Sequence, residues 1–452
     1  MSVVPGSIDT GQQPPMTIPL RHFVVGLGFL LAGVVLGVGV VSGIVSGLAG
    51  LAHVHLLLVG WICLTIMGAM TQFVPVWSGV ELHSRKLASV QLWLVTLGLA
   101  GFAVSLLAVS FPWLVAFGAV MLCGFWTFAY NVGRTLSGVE DFDVTERHFA
   151  LALGYFVLVT ALGLLLASDF SAPVFDALPV TRTGVVGAHA TLAVFGAVLT
   201  TVFGALYQLA TMFTQTELHG VDNQLRTIEE VAYPLGVVGL AGGRLLDLAP
   251  LARTGGILVI LSVLSISVVL GRKLYETRVE WTPMLSRYTV VVPALAAWAL
   301  LTIPHWLWNA TAPATRFGAP GASHLLALGG IGFVVLGTLY HIVPFIIWVH
   351  RYSDLLGFED VPMIDDLYDD RLAAADCTLF VSGTALLIGT ALFDRPDYVA
   401  AIGGVIVTLG VVVFAANMLL VIREHSPQSL SAILLSRGDT ETSEGASEEK
   451  PA

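Results

Sequence analysis

The sequence predicts an all-α, polytopic membrane protein of twelve transmembrane helices arranged as three four-helix repeats, and three observations predict it. First, 56% of the 452 residues are apolar, 11% are charged and the mean hydropathy is +0.86, which leaves little chain for a soluble domain. Second, stretches of about 20 apolar residues, the length that crosses a hydrocarbon core, fall near 22–46, 51–77, 88–109, 111–133, 148–168, 183–213, 228–248, 254–271, 288–308, 322–349, 373–392 and 398–422. Third, the stretch from Ala52 to Pro75 returns in weakened form. With Gly68 as its anchor, the copies centre on Gly204 and Gly337, 136 and then 133 residues further on. Self-similarity at a fixed spacing sets the architecture before any local reading does.

In chain order, residues 1–21 form a Pro-rich lead-in without the basic start of a cleaved signal, so it is expected to stay on the cytoplasmic side. Repeat 1 covers 22–145, repeat 2 covers 146–283 and repeat 3 covers 284–423, with charged, turn-rich joints near 137–148 and 276–287. Residues 424–452 are polar and acidic and are expected to be disordered. If the N-terminus is cytoplasmic, fifteen Lys and Arg lie on that side and five on the other, namely Arg182, Arg244, Arg253, Arg316 and Arg395. The positive-inside rule then places both termini in the cytoplasm of a multi-pass cell-membrane protein. Cys63, Cys123 and Cys377 fall inside spans without metal-ligand spacing, and read as buried thiols. Trp126, Tyr130, Trp306 and Trp308 sit near span ends and read as interfacial anchors.

The repeated stretch places polar residues at shared depths in the second, sixth and tenth spans. His55 and His324 each precede their anchor glycine by 13 residues, while His53 and His189 precede theirs by 15. Gln72, Gln208 and His341 each follow by four, roughly 26 Å deeper than the histidines at 1.5 Å per residue. An ionisable group inside a bilayer is costly, so a functional role is the default reading. His53 and His55 point about 200° apart on one helix and cannot grip one metal together. They can serve two sites, and the repeat suggests that His55 faces the tenth span while His53 faces the sixth. The plainer readings are a carbonyl-bonded histidine at His53 or His189, a pairing of His341 with Gln72 or Gln208, solvated His83 and His219, and Glu229 and Glu230 as favourable charges at a helix start.

These residues resemble subunit I of the haem–copper oxidase superfamily, whose twelve helices form three four-helix arcs. Val74-Pro75-Val76-Trp77-Ser78-Gly79 is similar to the exit of that family's second helix, and the run from Ala322-Ser323-His324 to Pro344 has the spacing of its tenth. The resemblance implies a low-spin haem held by His55, or by His53, together with His324. It also implies that Arg395, in Asp394-Arg395-Pro396-Asp397-Tyr398, reaches haem propionates. The chain departs from the family where oxygen is reduced. Ala322 stands for the high-spin haem ligand, the seventh span has no His-His pair, and His189 is followed by Ala-Thr-Leu-Ala-Val-Phe-Gly. The NnrS family, haem- and copper-containing and linked to nitric oxide, is a second resemblance, carried by histidines near helix starts and by Gly68-Ala69-Met70.

The expectation is therefore a haem b protein that transfers electrons or binds a diatomic gas, O2 or NO. Haem iron is held by His55 and His324, a second haem by His53 and His189, and no copper is expected because its imidazole ligands are missing. Membrane lipids, an electron-donor protein or quinol, and small membrane subunits are the expected partners, and nucleic acid is not. Oxidoreductase activity stays open. The alternatives are a haem-dependent nitric oxide response protein and a repeat-built secondary transporter, since carriers also place polar residues at shared depths.

Overall fold

The computed structural model describes residues 14–435, which are helical and contain no strand. Twelve long helices follow one another: α1 (Thr17–Val41), α2 (Ala49–Ser78), α3 (Arg85–Leu107), α4 (Phe111–Leu136), α5 (Val144–Ser168), α6 (Arg182–Thr214), α7 (Val221–Leu245), α8 (Ala249–Tyr275), α9 (Pro283–Asn309), α10 (Leu325–Arg351), α11 (Asp370–Leu392) and α12 (Asp397–His425). Eleven of them are long and apolar enough to cross a membrane, so the chain is a multi-pass membrane protein. The other, α7, carries Asp222, Arg226, Glu229, Glu230 and Arg244. Side-chain caps start several of them: Ser84 accepts from the Leu87 N–H, Thr181 from Gly184, and Asp143 forms a capping box with Glu146.

The helices close into a ring, since α1 packs against both α2 and α12. Helices α2, α6 and α10 are the most buried of the crossing helices and line the middle. Each repeat closes on its anchor glycine, where the first helix lies against the second. A Cβ at Gly68 would come 2.7 Å from His22 Cβ, and at Gly337 3.2 Å from Arg287 Cβ, while Gly204 faces His148 Cβ in the same way. Without hydrophobic drive between helices in lipid, such close backbone approach supplies the packing. The third and fourth helices of each repeat pair likewise, at Gly98 on Met121, Gly255 on Leu240 and Gly383 on Val407.

The anchor contact also organises a buried polar group in each repeat. In repeat 2, His148 Nδ1–H donates to the Val144 carbonyl (2.7 Å) and Nε2 meets Glu229 Oε1 at 3.1 Å, while the Tyr207 hydroxyl donates to Glu229 Oε2 at 3.0 Å. One proton must lie between His148 and Glu229, because two lone pairs would repel. In repeat 3, Arg287 pairs with Asp376, which also accepts from Tyr340, and Asn417 donates to the Tyr340 oxygen (3.1 Å). Repeat 1 has the uncharged counterpart, with Thr71 donating to Gly68 (2.9 Å) and Gln91 fully buried. Glu229 is thus a buried partner of His148, not a charge serving a helix start. An acid beside an imidazole or guanidinium is what allows either to be buried.

Three further expectations are corrected. Disorder was expected from 424, yet α12 runs to His425 and a short helix α13 (Leu430–Leu435) buries Ile433, whose carbonyl accepts from Arg21 Nε at 2.6 Å. Local apolar spacing in Leu430-Ser431-Ala432-Ile433 outweighs the polar average of the tail; residues 436–452, like 1–13, lie outside those described. Trp306 is fully buried rather than interfacial. Cys123 is exposed on the outside of the ring, unlike buried Cys63.

Replacing Arg287 by Met leaves Asp376 buried without its counter-charge and should cost about 3–5 kcal/mol. The double change Arg287→Met/Asp376→Asn keeps an acceptor for Tyr340 and should recover most of that loss. Thermal unfolding of the purified protein in detergent, followed by circular dichroism, compares the two.

Candidate functional site

Helices α2, α6 and α10 run in the same direction and begin at the same end of the bundle, and the four histidines of interest lie in or beside their first turns. Each helix then changes winding at one register. A π-helical segment begins 12 residues before the anchor glycine in all three: Leu56–Cys63, Leu192–Val198 and Leu325–Gly332. Such segments are rare and recur at functional sites. Here they follow directly on the histidine positions.

His53 and His189 are held identically. His53 Nδ1–H donates to the Gly33 carbonyl of α1 at 2.7 Å, and His189 Nδ1–H donates to the Val159 carbonyl of α5 at 2.9 Å. Gly33 lies 11 residues after His22, and Val159 lies 11 after His148, so the two acceptors are repeat equivalents. Four residues on in each helix a glycine makes room for the ring: a Cβ at Gly37 would overlap His53, and one at Gly163 would come 3.0 Å from His189 Cε1. His55 Nδ1–H donates within its own helix, to Leu51 (2.8 Å), and its ring packs 5.1 Å from Phe102 of α3. A carbonyl can only accept, so in these three rings Nδ1 carries the proton and Nε2 keeps its lone pair. His324 differs: its Nδ1 is buried with no hydrogen-bond partner among the described residues. All four rings are only partly buried.

The pairing in space differs from the one expected. His55 lies within Coulombic range of His189, and His53 within range of His324. It is therefore His53, reaching toward α1, that shares a chamber with His324; His55, on the α3 side, shares one with His189. Two imidazoles about 200° apart on a helix must face opposite sides. Which side each takes depends on the hand of the ring of helices, and residue spacing does not carry that information.

A single rule now describes the histidine layer. Each chamber lies between the second helices of consecutive repeats. It takes the residue 13 before the glycine from one and the residue 15 before the glycine from the next. His324 with His53, and His55 with His189, fill this rule in two chambers. Deeper in the first of these, Val34, Trp61, Leu328, Phe380 and Val411 wall an apolar gap between α1, α2, α10, α11 and α12. The second is backed by a separate apolar cluster that includes Leu56, Leu99, Phe102, Leu106 and Leu114.

In the third chamber the same positions are Thr191 and Ala322, and the space is filled. Arg244 of α7 donates to Thr191 Oγ1 (2.7 Å) and to the carbonyls of Ala310 (2.9 Å), Arg316 (2.9 Å) and Thr315 (3.2 Å), under the Trp306 ring. Trp298, the residue equivalent to Gly33 and Val159, packs on Trp306 and Phe195 with centroids 5.6 Å away in each case. Bulk from the first helix replaces the space that glycine leaves in the other repeats.

The remaining candidates separate. Arg395 is exposed in the turn between α11 and α12. That turn adjoins the loop leading to His324, since Gly321 (φ +81°) backs onto the Ala391 carbonyl, where a Cβ would come within 2.6 Å. Arg316 is near enough for His189 to feel its charge. Of the deeper ring, Gln72 is buried with Oε1 unpartnered, and His341 packs between Phe213 (4.4 Å) and Phe345 (5.9 Å) without bonding to either glutamine. Arg244, Trp298 and Arg316 carried no sequence signal as site residues, although the substitutions at Thr191 and Ala322 within the repeat could have marked their chamber as different. No family model matches the chain, and a comparison with curated proteins finds no match either.

Arg244 closes the third chamber with a planar fork that a single ammonium cannot reproduce. Arg244→Ala should destabilise the protein by at least about 3 kcal/mol, given that charge-assisted hydrogen bonds contribute roughly 1.5–3 kcal/mol each. Arg244→Lys should restore less than half. Apparent melting temperatures of the three proteins test this.

Proposed function

We propose that the chain binds two haem b groups, one through His53 and His324 and one through His55 and His189, and that it carries electrons within the membrane. The observation that carries this reading is the cyclic rule: two chambers meet it with two imidazoles each, and the one that lacks both is filled by Arg244 and tryptophan. Haem, when bound, supplies one-electron chemistry at an iron whose potential follows its axial ligands and burial.

The donor set suits that group. Bonds from Nδ1–H to fixed carbonyls orient His53, His55 and His189 and leave Nε2 basic, which is how metal-bound histidines are commonly held. His324 offers a buried nitrogen that otherwise lacks any partner. Arg395 at the first chamber and Arg316 near the second are suited to the propionate carboxylates. Copper is not part of the proposal, because α7 has no histidine and brings Arg244 to the third chamber. We place the protein in the cell membrane with both termini cytoplasmic, α7 as a twelfth crossing and the histidine end outward, in keeping with the distribution of Lys and Arg. A quinol or a donor protein would supply electrons, with small membrane subunits as further partners.

A second reading rests on His324. Its ring has no hydrogen bond to hold it, so it is the ligand most easily displaced by O2 or NO. Gas binding, as in a nitric oxide response protein, belongs at that chamber. A carrier would need a polar path, whereas the space where α2, α6 and α10 meet is lined by apolar atoms.

Haem assays and optical spectra of the purified protein test the proposal. Wild type should hold two low-spin haems per chain. His53→Ala and His324→Ala should each lose one, and their combination should lose no more. His55→Ala with His189→Ala should behave the same way for the other haem. His341→Ala should leave both. A haem-free wild type, or a loss pattern that couples His55 with His324, contradicts it.

A further inference from the structure

Beyond the histidine layer, the second helices of the three repeats meet on the pseudo-threefold axis. Along 64–75, 194–207 and 329–340 every residue is buried except one in each stretch: Ala69, Ala205 and Thr338. All three directly follow their anchor glycine. They open on one shared space of about 70 Å³. Its walls repeat in register as well, with Thr65, Thr201 and Val334 three residues before each glycine, joined by the residues two before and five after. This is one face of a helix, presented three times.

The wall hydroxyls are turned away from the space. Thr201 donates to the Ala197 carbonyl (2.8 Å), Thr338 is bonded to the Tyr288 hydroxyl (2.7 Å), and no polar atom of the lining faces inward. A water needs only about 10–15 Å³ but also two to four polar partners. The axial space has ample volume and no partners, so water has nothing to hold it there. Ala69 and Ala205 keep it open, since a longer side chain at either would project into it.

We propose that this axial space is a binding site for a small apolar gas, of the class of dioxygen, nitric oxide or xenon. Such molecules give up little hydration on entering and fill contacts that the wall atoms otherwise lack. The site draws equivalent atoms from all three repeats, including the repeat boundary at which the histidine pair is missing. It does not depend on the reading of the histidines.

Crystals of the full-length protein pressurised with xenon test the site through anomalous scattering. A xenon peak between Ala69, Ala205 and Thr338 is expected in wild type. It should persist in Thr338→Val, which keeps the volume, and vanish in Ala205→Leu. Ala69→Leu fills the space from another wall and serves if the first filling variant does not fold. Ordered water or a lipid or quinone chain in the space of the unpressurised protein overturns the proposal, as does xenon bound only elsewhere or retained in the filled variants.

Discussion

The close approach of the first helix of each repeat to the second, at Gly68, Gly204 and Gly337, is the contact on which the rest of the molecule depends. It holds α1 on α2, α5 on α6 and α9 on α10 at a separation no side chain would permit. Once that contact is made, helix geometry assigns a depth to everything on the same two helices. The histidine positions fall at one level and the π-helical segments at the next. The small residues of the axial space follow, and then the buried polar groups at His148 and Arg287. The repeat is therefore a ruler as well as a unit of packing, and equal offsets in sequence become equal heights in the membrane.

Threefold repetition by itself would give three equal chambers. The chain keeps two and fills the third, and the difference begins on the first helices. Gly33 and Val159 offer a carbonyl to a neighbouring imidazole, with Gly37 and Gly163 leaving room for the ring. In repeat 3 the corresponding residue is Trp298, whose indole donates instead to the Phe317 carbonyl at 2.8 Å. Arg244 then satisfies three loop carbonyls that would otherwise face the empty chamber. A guanidinium with its donors occupied can be buried at modest cost, whereas one left unpaired could not. The polar groups at the other end show the same divergence: Arg287 with Asp376 is a permanent ion pair, while His148 with Glu229 shares a movable proton.

Much of the fold was legible because it follows from periodicity. Apolar runs of membrane length located every long helix, and the spacing between anchor glycines divided them into repeats. The four histidines stood out for the same reason. Their partners did not, because assigning His53 to α10 and His55 to α6 requires the hand of the helix ring. That hand arises from packing across the closure of α1 on α12. Trp306 was misread since a tryptophan near a helix end is usually interfacial, and only the loop through Thr315, which accepts its indole N–H at 2.7 Å, covers it. Glu229 was misread because its partner His148 lies on another helix, 81 residues away.

The central claim is that successive repeats pair their histidines cyclically. An electron cryomicroscopy map of the full-length protein, purified from haem-replete cells, tests it most directly. The account predicts planar density joining His53 to His324 and His55 to His189, with protein side chains alone between Thr191 and Ala322. Density joining His55 to His324, or no porphyrin in either histidine chamber, would contradict it.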